Sequence, residues 1–340
     1  MLHARLVALV AVMGVALAAA AHALPIREDW HDPSRGRRVP VKIYEPAAGS
    51  PIAPVVIFSH GMGGNREAMT YLGEALSAAG YLVVSVQHTD SDESVWKDLP
   101  LVARYQALRK VANDPAPALN RPRDVAFALD KITELAADGQ RWAGRVDPNR
   151  AAIVGHSFGA WTALVVAGRR AGASPMTPGI RAADPRFDAA VAFSSPSKGL
   201  AAEAMQYDEY RLPTLHMTGT KDESPLGETG ARYRRVPFDA IRGQDQALVT
   251  FNGGDHMIFA QGDMDGDEAA AAIDPSKRLI GFQGDRKLDP QFREQITAGT
   301  LAFLDWKLRG DAERGEWLTK GGYAGQLGKL GTLETKGALD

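Results

Sequence analysis

Three short segments carry residue types that perform acyl transfer once a fold brings them together. Gly155-His156-Ser157-Phe158-Gly159 sets a serine between two glycines, after the apolar run 151–155 and at the head of a helical pattern. A sharp strand-to-helix turn strains the serine backbone and leaves no room for bulk two residues to either side, which is what Gly155 and Gly159 supply. Such a turn exposes the Ser157 hydroxyl as a nucleophile and aims the following helix at it, so the Phe158 N–H can donate to a developing oxyanion. A serine in this setting needs an acid and then a base later in the chain. Gly253-Gly254-Asp255-His256 follows the run ALVTF (247–251), and no histidine comes after it, so His256 is the expected base. His216 lies inside the run TLHMTG (214–219) and is expected in the core. Asp222, in Gly219-Thr220-Lys221-Asp222, is the expected acid; Asp255 should point elsewhere, with Glu223 the nearest substitute. The loop Ser59-His60-Gly61-Met62-Gly63-Gly64-Asn65 is expected to give the second oxyanion donor, the Met62 N–H, with His60 holding the loop backbone.

These residues must sit at the ends of strands. The runs 55–60, 81–86, 151–155, 189–194, 214–219 and 247–251 are short, apolar on both faces and bounded by Gly, Pro or Asp, as buried parallel strands are. Helical patterns separate them at 66–79, 121–137, 158–170 and 291–309. An opening pair of antiparallel strands is expected around Asp32-Pro33-Ser34-Arg35-Gly36. The alternation predicts an α/β fold: a mostly parallel, doubly wound sheet with helices on both faces and an antiparallel N-terminal strand pair. Residues 24–309 would form that domain. Residues 88–120 make a long connection, read as a small cap or pocket loop with a helix over 99–111; His88, Trp96 and Tyr105 are its expected pocket residues. Phe158 should floor the pocket, and Trp161 should be core. Residues 171–187 read as a loop, and 310–340 as a C-terminal tail docked by Trp317-Leu318 and otherwise loose.

The segments HGMGG, GHSFG, GTKD and GGDH, in this order, resemble the α/β-hydrolase fold over nearly the whole chain after residue 23. A finer resemblance rests on DWHDPSRGRRVPVKIYEP, FSHGMGGNREAMTYLGEALSAAGYLVVSVQH and RPRDVAFALDKI. These segments are similar to bacterial dienelactone hydrolase-like proteins and to platelet-activating-factor acetylhydrolases, and more distantly to chlorophyllases. The resemblance implies hydrolysis of carboxylic esters, with Ser157 as nucleophile and neither metal nor cofactor. Two departures accompany it. Dienelactone hydrolases use a cysteine nucleophile where this chain has Ser157. The platelet-activating-factor enzymes place their acid soon after the strand that follows the elbow. Here that strand ends Phe193-Ser194-Ser195-Pro196, without a carboxylate, which moves the expected acid to Asp222.

Composition narrows the function further. The 340 residues include 39 Lys+Arg against 41 Asp+Glu, a formal charge of −2, and no cysteine. That excludes disulfides, thiolate metal sites and a cysteine nucleophile. The near-neutral balance gives nucleic acid or an anionic membrane no reason to bind. Arg5, the apolar stretch Leu6–Ala21 and the small residues of Ala21-His22-Ala23 predict a signal peptide over 1–23, cleaved after Ala23. The stretch is shorter than the ~20 apolar residues of a membrane span. The chain is therefore expected in the periplasm or outside the cell, with no stable membrane anchor. Asp263, Asp265, Asp267 and Asp274 are spaced as in a calcium loop, but Glu268 stands where the sharp turn demands glycine, so a solvated acidic loop is expected. The function expected is an exported serine esterase acting on a small-molecule ester, with a short acyl or alkyl group. The alternatives are a serine peptidase or amidase using the same triad, and a non-catalytic binding protein of the fold.

Overall fold

The computed structural model describes residues 24–174, 176–199, 201–226, 229–260 and 285–337. The expected signal peptide and the acidic loop from Asp263 to Asp274 lie outside them.

Among the described residues nine strands form one sheet. Along the chain, β1 (Ile26–Asp32), β2 (Arg37–Tyr44) and β3 (Ala53–Ser59) come first, then α1 (Thr70–Ala78) and β4 (Leu82–Val86). Two helices follow, α2 (Leu101–Ala112) and α3 (Pro115–Ala136), leading to β5 (Val146–His156), α4 (Phe158–Val166) and β6 (Phe187–Phe193). Next come β7 (Thr214–Lys221), the short α5 (Val236–Ala240) and β8 (Gln246–Asp255). The chain closes with α6 (Asp289–Arg309), α7 (Ala312–Thr319), α8 (Gly322–Leu327) and β9 (Gly331–Lys336). The spatial order is β1-β2-β4-β3-β5-β6-β7-β8-β9. Strands β3 to β8 run parallel to their sheet neighbours within this block, while the β1–β2, β2–β4 and β8–β9 pairs are antiparallel.

Alternation along the strands divides the core into two layers. Val55 and Ile57 of β3 face one layer, where Val125, Ala128, Leu129 and Ile132 of α3 and Ala160, Ala163 and Leu164 of α4 cover the sheet. Val56 and Phe58 face the other, covered by Leu72 and Leu76 of α1 and Phe292, Ile296, Phe303 and Leu304 of α6. With both faces buried, the central strands read as continuous apolar runs rather than alternating ones. This is the α/β-hydrolase architecture, doubly wound as the alternation predicts, and it brings the carboxyl ends of β3, β5, β7 and β8 to one edge.

Two segments differ from the sequence reading. Residues 115–120, assigned to the long connection, already belong to α3. Pro115 at its first turn needs no amide hydrogen, and the Asp114 carboxylate caps it by accepting the Ala116 N–H at 2.8 Å. Residues 312–336, expected to be largely loose, form α7, α8 and β9. There Leu318, Tyr323 and Leu327 are buried in the layer beneath α6, and β9 pairs with β8 along Gln246–Phe251.

Candidate active site

β5 ends in the elbow. Ser157 has φ 56° and ψ −117°, a left-handed backbone that few non-glycine residues adopt, and α4 starts at the next residue. The glycine requirement is steric. A Cβ on Gly155 would lie 2.0 Å from the Gly159 carbonyl oxygen, and one on Gly159 would lie 1.8 Å from the Ser59 carbonyl oxygen. No side chain fits at either position, because backbone atoms already fill both.

The structure brings Ser157, His256 and Asp222 into one hydrogen-bonded chain. His256 Nε2 lies 3.0 Å from Ser157 Oγ, and His256 Nδ1 lies 2.7 Å from Asp222 Oδ1. An ionised Asp222 accepts a hydrogen bond from Nδ1–H, which fixes the tautomer in which Nε2 can accept the Ser157 hydroxyl. Asp222 is wholly buried. Its Oδ2 accepts the Ser194 hydroxyl at 2.5 Å and the Thr218 hydroxyl at 2.8 Å. Burial alone would raise its pKa. The nearby Arg234 charge and the hydrogen bonds from His256 and Ser194 outweigh that and hold the carboxyl well below the usual carboxylate range. Asp255 turns to the Met257 N–H at 2.9 Å and Glu223 to the Ala231 N–H at 3.2 Å, so neither carboxylate engages the histidine.

Arg234 is the partner that sequence reasoning missed. Only 2% exposed, it follows a 3₁₀ turn over Ala231–Tyr233. Its Nε lies 3.2 Å from Asp222 Oδ1 and donates to the Asp222 carbonyl at 3.1 Å. One terminal nitrogen donates to the carbonyls of Ser194 and Ser195 at 3.2 and 3.3 Å, and the other comes within 3.3 Å of His256 Nδ1. The guanidinium thus ties the tip of β6 to Asp222 at the tip of β7. Ser194 itself has φ 53°, a conformation that turns its hydroxyl toward Asp222.

His156 lies against the other side of His256. Its Nε2 is 2.9 Å from the His256 carbonyl, and the two rings lie 4.8 Å apart. Burial, reinforced by the neighbouring His256, pulls its pKa down to about 3, so it serves as a neutral donor. His216 is buried as expected, against Gln246 at 2.8 Å.

The loop 60–65 faces Ser157. A Cβ on Gly61, the residue before Met62, would come 3.4 Å from Ser157 Cβ, so this loop packs against the elbow. The Phe158 N–H, first in α4, has no acceptor within its helix. His60 holds the loop as expected: Nδ1 lies 2.6 Å from the Gly61 carbonyl, and Nε2 accepts the His88 N–H at 3.0 Å. The Gly63 N–H donates to the Ser91 carbonyl at 2.8 Å, and the Glu93 N–H donates to the Gly64 carbonyl at 3.0 Å.

His88 corrects an expectation. It does not open on the cleft; it is sealed inside, with Nδ1 3.0 Å from Asp124 and Nε2 3.0 Å from Ser59 Oγ. Both ring nitrogens are engaged by neighbours, and burial, aided by the Arg121 charge, pulls its pKa down to about 4. Trp96 and Tyr105 are half-buried beside the site. Trp96 donates Nε1–H to the Gly63 carbonyl at 2.8 Å, and the Tyr105 hydroxyl donates to the Leu226 carbonyl at 3.1 Å, in the loop after Asp222. Phe158 and Trp161 are also half-buried, with ring centroids 5.5 Å apart, so Trp161 is not the fully covered residue the reading expected.

Comparison with known proteins matches part of the chain. Residues 36–101 match the family model described as "Platelet-activating factor acetylhydrolase, isoform II". The chain resembles platelet-activating factor acetylhydrolases. The one from Cavia porcellus is 27% identical over 150 residues, covering 37% of this chain and 34% of the relative. Those from Canis lupus familiaris and Bos taurus are 25% and 27% identical over 137 residues, covering 33% of this chain and 31% of each relative. The aligned region thus spans about a third of the length of these curated relatives. The family match runs from β2 to the start of α2 and includes the loop of Met62, but not Ser157, Asp222 or His256.

Proposed function

We propose that this chain is a serine hydrolase that cleaves carboxylic esters of small molecules through an acyl-enzyme. The observation that carries the proposal is the continuous path from Asp222 through His256 to the strained Ser157 at the head of α4. In the first step His256 Nε2 removes the Ser157 proton as Oγ attacks the ester carbonyl. Asp222 orients the ring and stabilises the imidazolium that forms. The Met62 and Phe158 amides donate to the oxyanion, a contribution of about 3 kcal/mol per donor to the barrier. The imidazolium then protonates the leaving alcohol. Water, deprotonated by the same nitrogen, attacks the acyl-enzyme and releases the acid.

A short acyl group is the substrate class favoured, and the relatives' name, acetylhydrolase, points the same way. Trp96, bonded to the Gly63 carbonyl, and Tyr105 of α2, bonded to the Leu226 carbonyl, are candidates to line the cleft. Export through residues 1–23, with cleavage after Ala23, belongs to the same proposal. Among the described residues no helix is long and apolar enough to cross a membrane.

The test is turnover of p-nitrophenyl acetate and labelling by a fluorophosphonate, in the wild type and in Ser157→Ala. We expect turnover and a single label in the wild type and neither in the variant, with an unchanged thermal midpoint. Turnover surviving in a folded Ser157→Ala protein would place the nucleophile elsewhere.

A further inference from the structure

We infer that Arg121 is a positioning residue for the oxyanion hole: its guanidinium clamps the two segments that carry the Met62 and Phe158 amides and keeps a positive charge behind them. The inference rests on the esterase reading of Ser157.

Arg121 lies in the second turn of α3 and is completely buried. Its Nε donates to the Thr162 hydroxyl at 3.0 Å, in the helix headed by Phe158. One terminal nitrogen donates to the Ser91 hydroxyl at 2.9 Å, and the carbonyl of Ser91 is the acceptor for the Gly63 N–H. The other donates to the Ser59 hydroxyl at 3.2 Å and to the carbonyl of His60, immediately before Gly61-Met62. The Phe158 ring lies against the guanidinium, 4.4 Å from its carbon to the ring centroid. One side chain therefore reaches the end of β3, the segment that fixes Gly63, and the first turn of α4.

Every one of these direct partners is neutral. The nearest carboxylates are engaged elsewhere: Asp124 by Arg35, Arg37 and His88, and Asp90 by Arg37 and Asn120. Burial pulls the Arg121 pKa down, to about 9, although the charges of Asp90 and Asp124 work the other way, and it still holds its proton at neutral pH. Burying an ion that touches no carboxylate is costly, and an apolar side chain of similar volume would fill the same space without that cost. The placement becomes intelligible if the charge acts on the reaction. Its field favours an oxyanion over a neutral carbonyl at the neighbouring site, and its fork holds both donors in place before substrate arrives.

The experiment compares Arg121→Lys, which keeps the charge but not the fork, with Arg121→Met, which loses both. Ser91→Ala and Thr162→Val each remove one hydroxyl partner and leave the buried ion in place. They carry the test should the arginine variants fail to fold. The readouts are kcat and KM for p-nitrophenyl acetate and the inhibition constant of a trifluoromethyl ketone. Ser157 Oγ adds to the ketone carbon, its proton passes to His256, and the ketone oxygen becomes an oxyanion in the hole. We expect Arg121→Met to lower kcat on the order of 100-fold and Arg121→Lys on the order of 10-fold, with KM nearly constant and the ketone weakened in parallel. Ser91→Ala and Thr162→Val should show the same pattern at a few-fold. Folded variants that keep wild-type kcat and ketone affinity overturn the inference. So do variants with lowered thermal midpoints and unchanged ketone affinity, since that pattern reports structure alone. A wild type that neither turns over ester nor labels at Ser157 instead removes the esterase reading, and the inference with it.

Discussion

Replacing Arg234 with methionine tests whether the buried Asp222 carboxylate depends on a buried cation. The substitution keeps the apolar stem and deletes five contacts: Asp222 Oδ1 at 3.2 Å, three backbone carbonyls at 3.1–3.3 Å, and the approach to His256 Nδ1 at 3.3 Å. Removing one member of a buried ion pair costs about 3–5 kcal/mol, because the other charge is left without compensation. Asp222 would retain Ser194, Thr218 and His256 as partners, so its share falls toward the lower end. The carbonyls of Ser194, Ser195 and Asp222 add the cost of buried acceptors left without donors, about 1–3 kcal/mol in all if the segment relaxes. We therefore expect Arg234→Met to lose about 4 kcal/mol of stability at pH 7. A double-mutant cycle separates the two contributions. In an Asp222→Asn background no carboxylate remains to be stranded, and the same substitution should cost only the carbonyl part, leaving a coupling energy of about 2–3 kcal/mol. Urea unfolding of the four proteins, followed by tryptophan fluorescence, measures this directly. An equal cost of Arg234→Met in both backgrounds would refute the ionic reasoning, even if the single variant were strongly destabilised.

Two other perturbations follow from burial and sterics. Gly159→Ala puts a Cβ 1.8 Å from the Ser59 carbonyl oxygen, with backbone on both sides, so it should cost more than about 4 kcal/mol or abolish folding. Gly325→Ala, in α8 with nothing within 4 Å of the new carbon, should stabilise by about 0.5–1 kcal/mol; thermal midpoints of the two variants check the contrast. The pH dependence of stability should be set by histidines. Burial lowers the pKa of His60 well below its ordinary value, of His88 and His216 to about 4, and of His156 to about 3. Between pH 6.5 and 4 the unfolded chain therefore binds protons that the folded one refuses, and stability falls on acidification. The loss approaches about 1.4 kcal/mol per pH unit for each group, or about 4 kcal/mol for all four between pH 6.5 and 5.5. A urea midpoint that stays level down to pH 5 would contradict it.

The fold was legible where burial on both faces leaves an unbroken apolar run, as in β3 through β8. It was least legible where packing does not need such a run. β9, Gly331–Lys336, is held by backbone pairing to β8 at the edge of the sheet, so its Thr, Glu and Lys side chains give no strand signal. In α7 and α8 a single buried stripe, Leu318, Tyr323 and Leu327, is diluted by glycines and lysines. The start of α3 was hidden by Pro115 and Pro117, which read as loop although a first turn tolerates them.

The legible and hidden parts of the site divide along the same physical line. Ser157, Asp222 and His256 each directly follow a strand, and local context is enough to suggest such residues. Arg121 and Arg234 act through the side chains they reach across the fold, and a formal charge of −2 counts them as solvated ions like the others. For Arg121 a signal did exist. It shares a face of α3 with Val125, Ala128, Leu129 and Ile132, at spacings of four, seven, eight and eleven, and all of them are buried. An arginine in line with a core stripe must either extend its charged end to solvent or find acceptors inside. This one finds acceptors on three segments at once, which a planar fork with five donors can do and a lysine ammonium cannot match in geometry. Arg234 has no such stripe to betray it, since a single 3₁₀ turn precedes it and the exposed Arg235 follows. Its position is dictated by where β6 and β7 end in space, and that is set by the sheet rather than by any residue within reach of it along the chain.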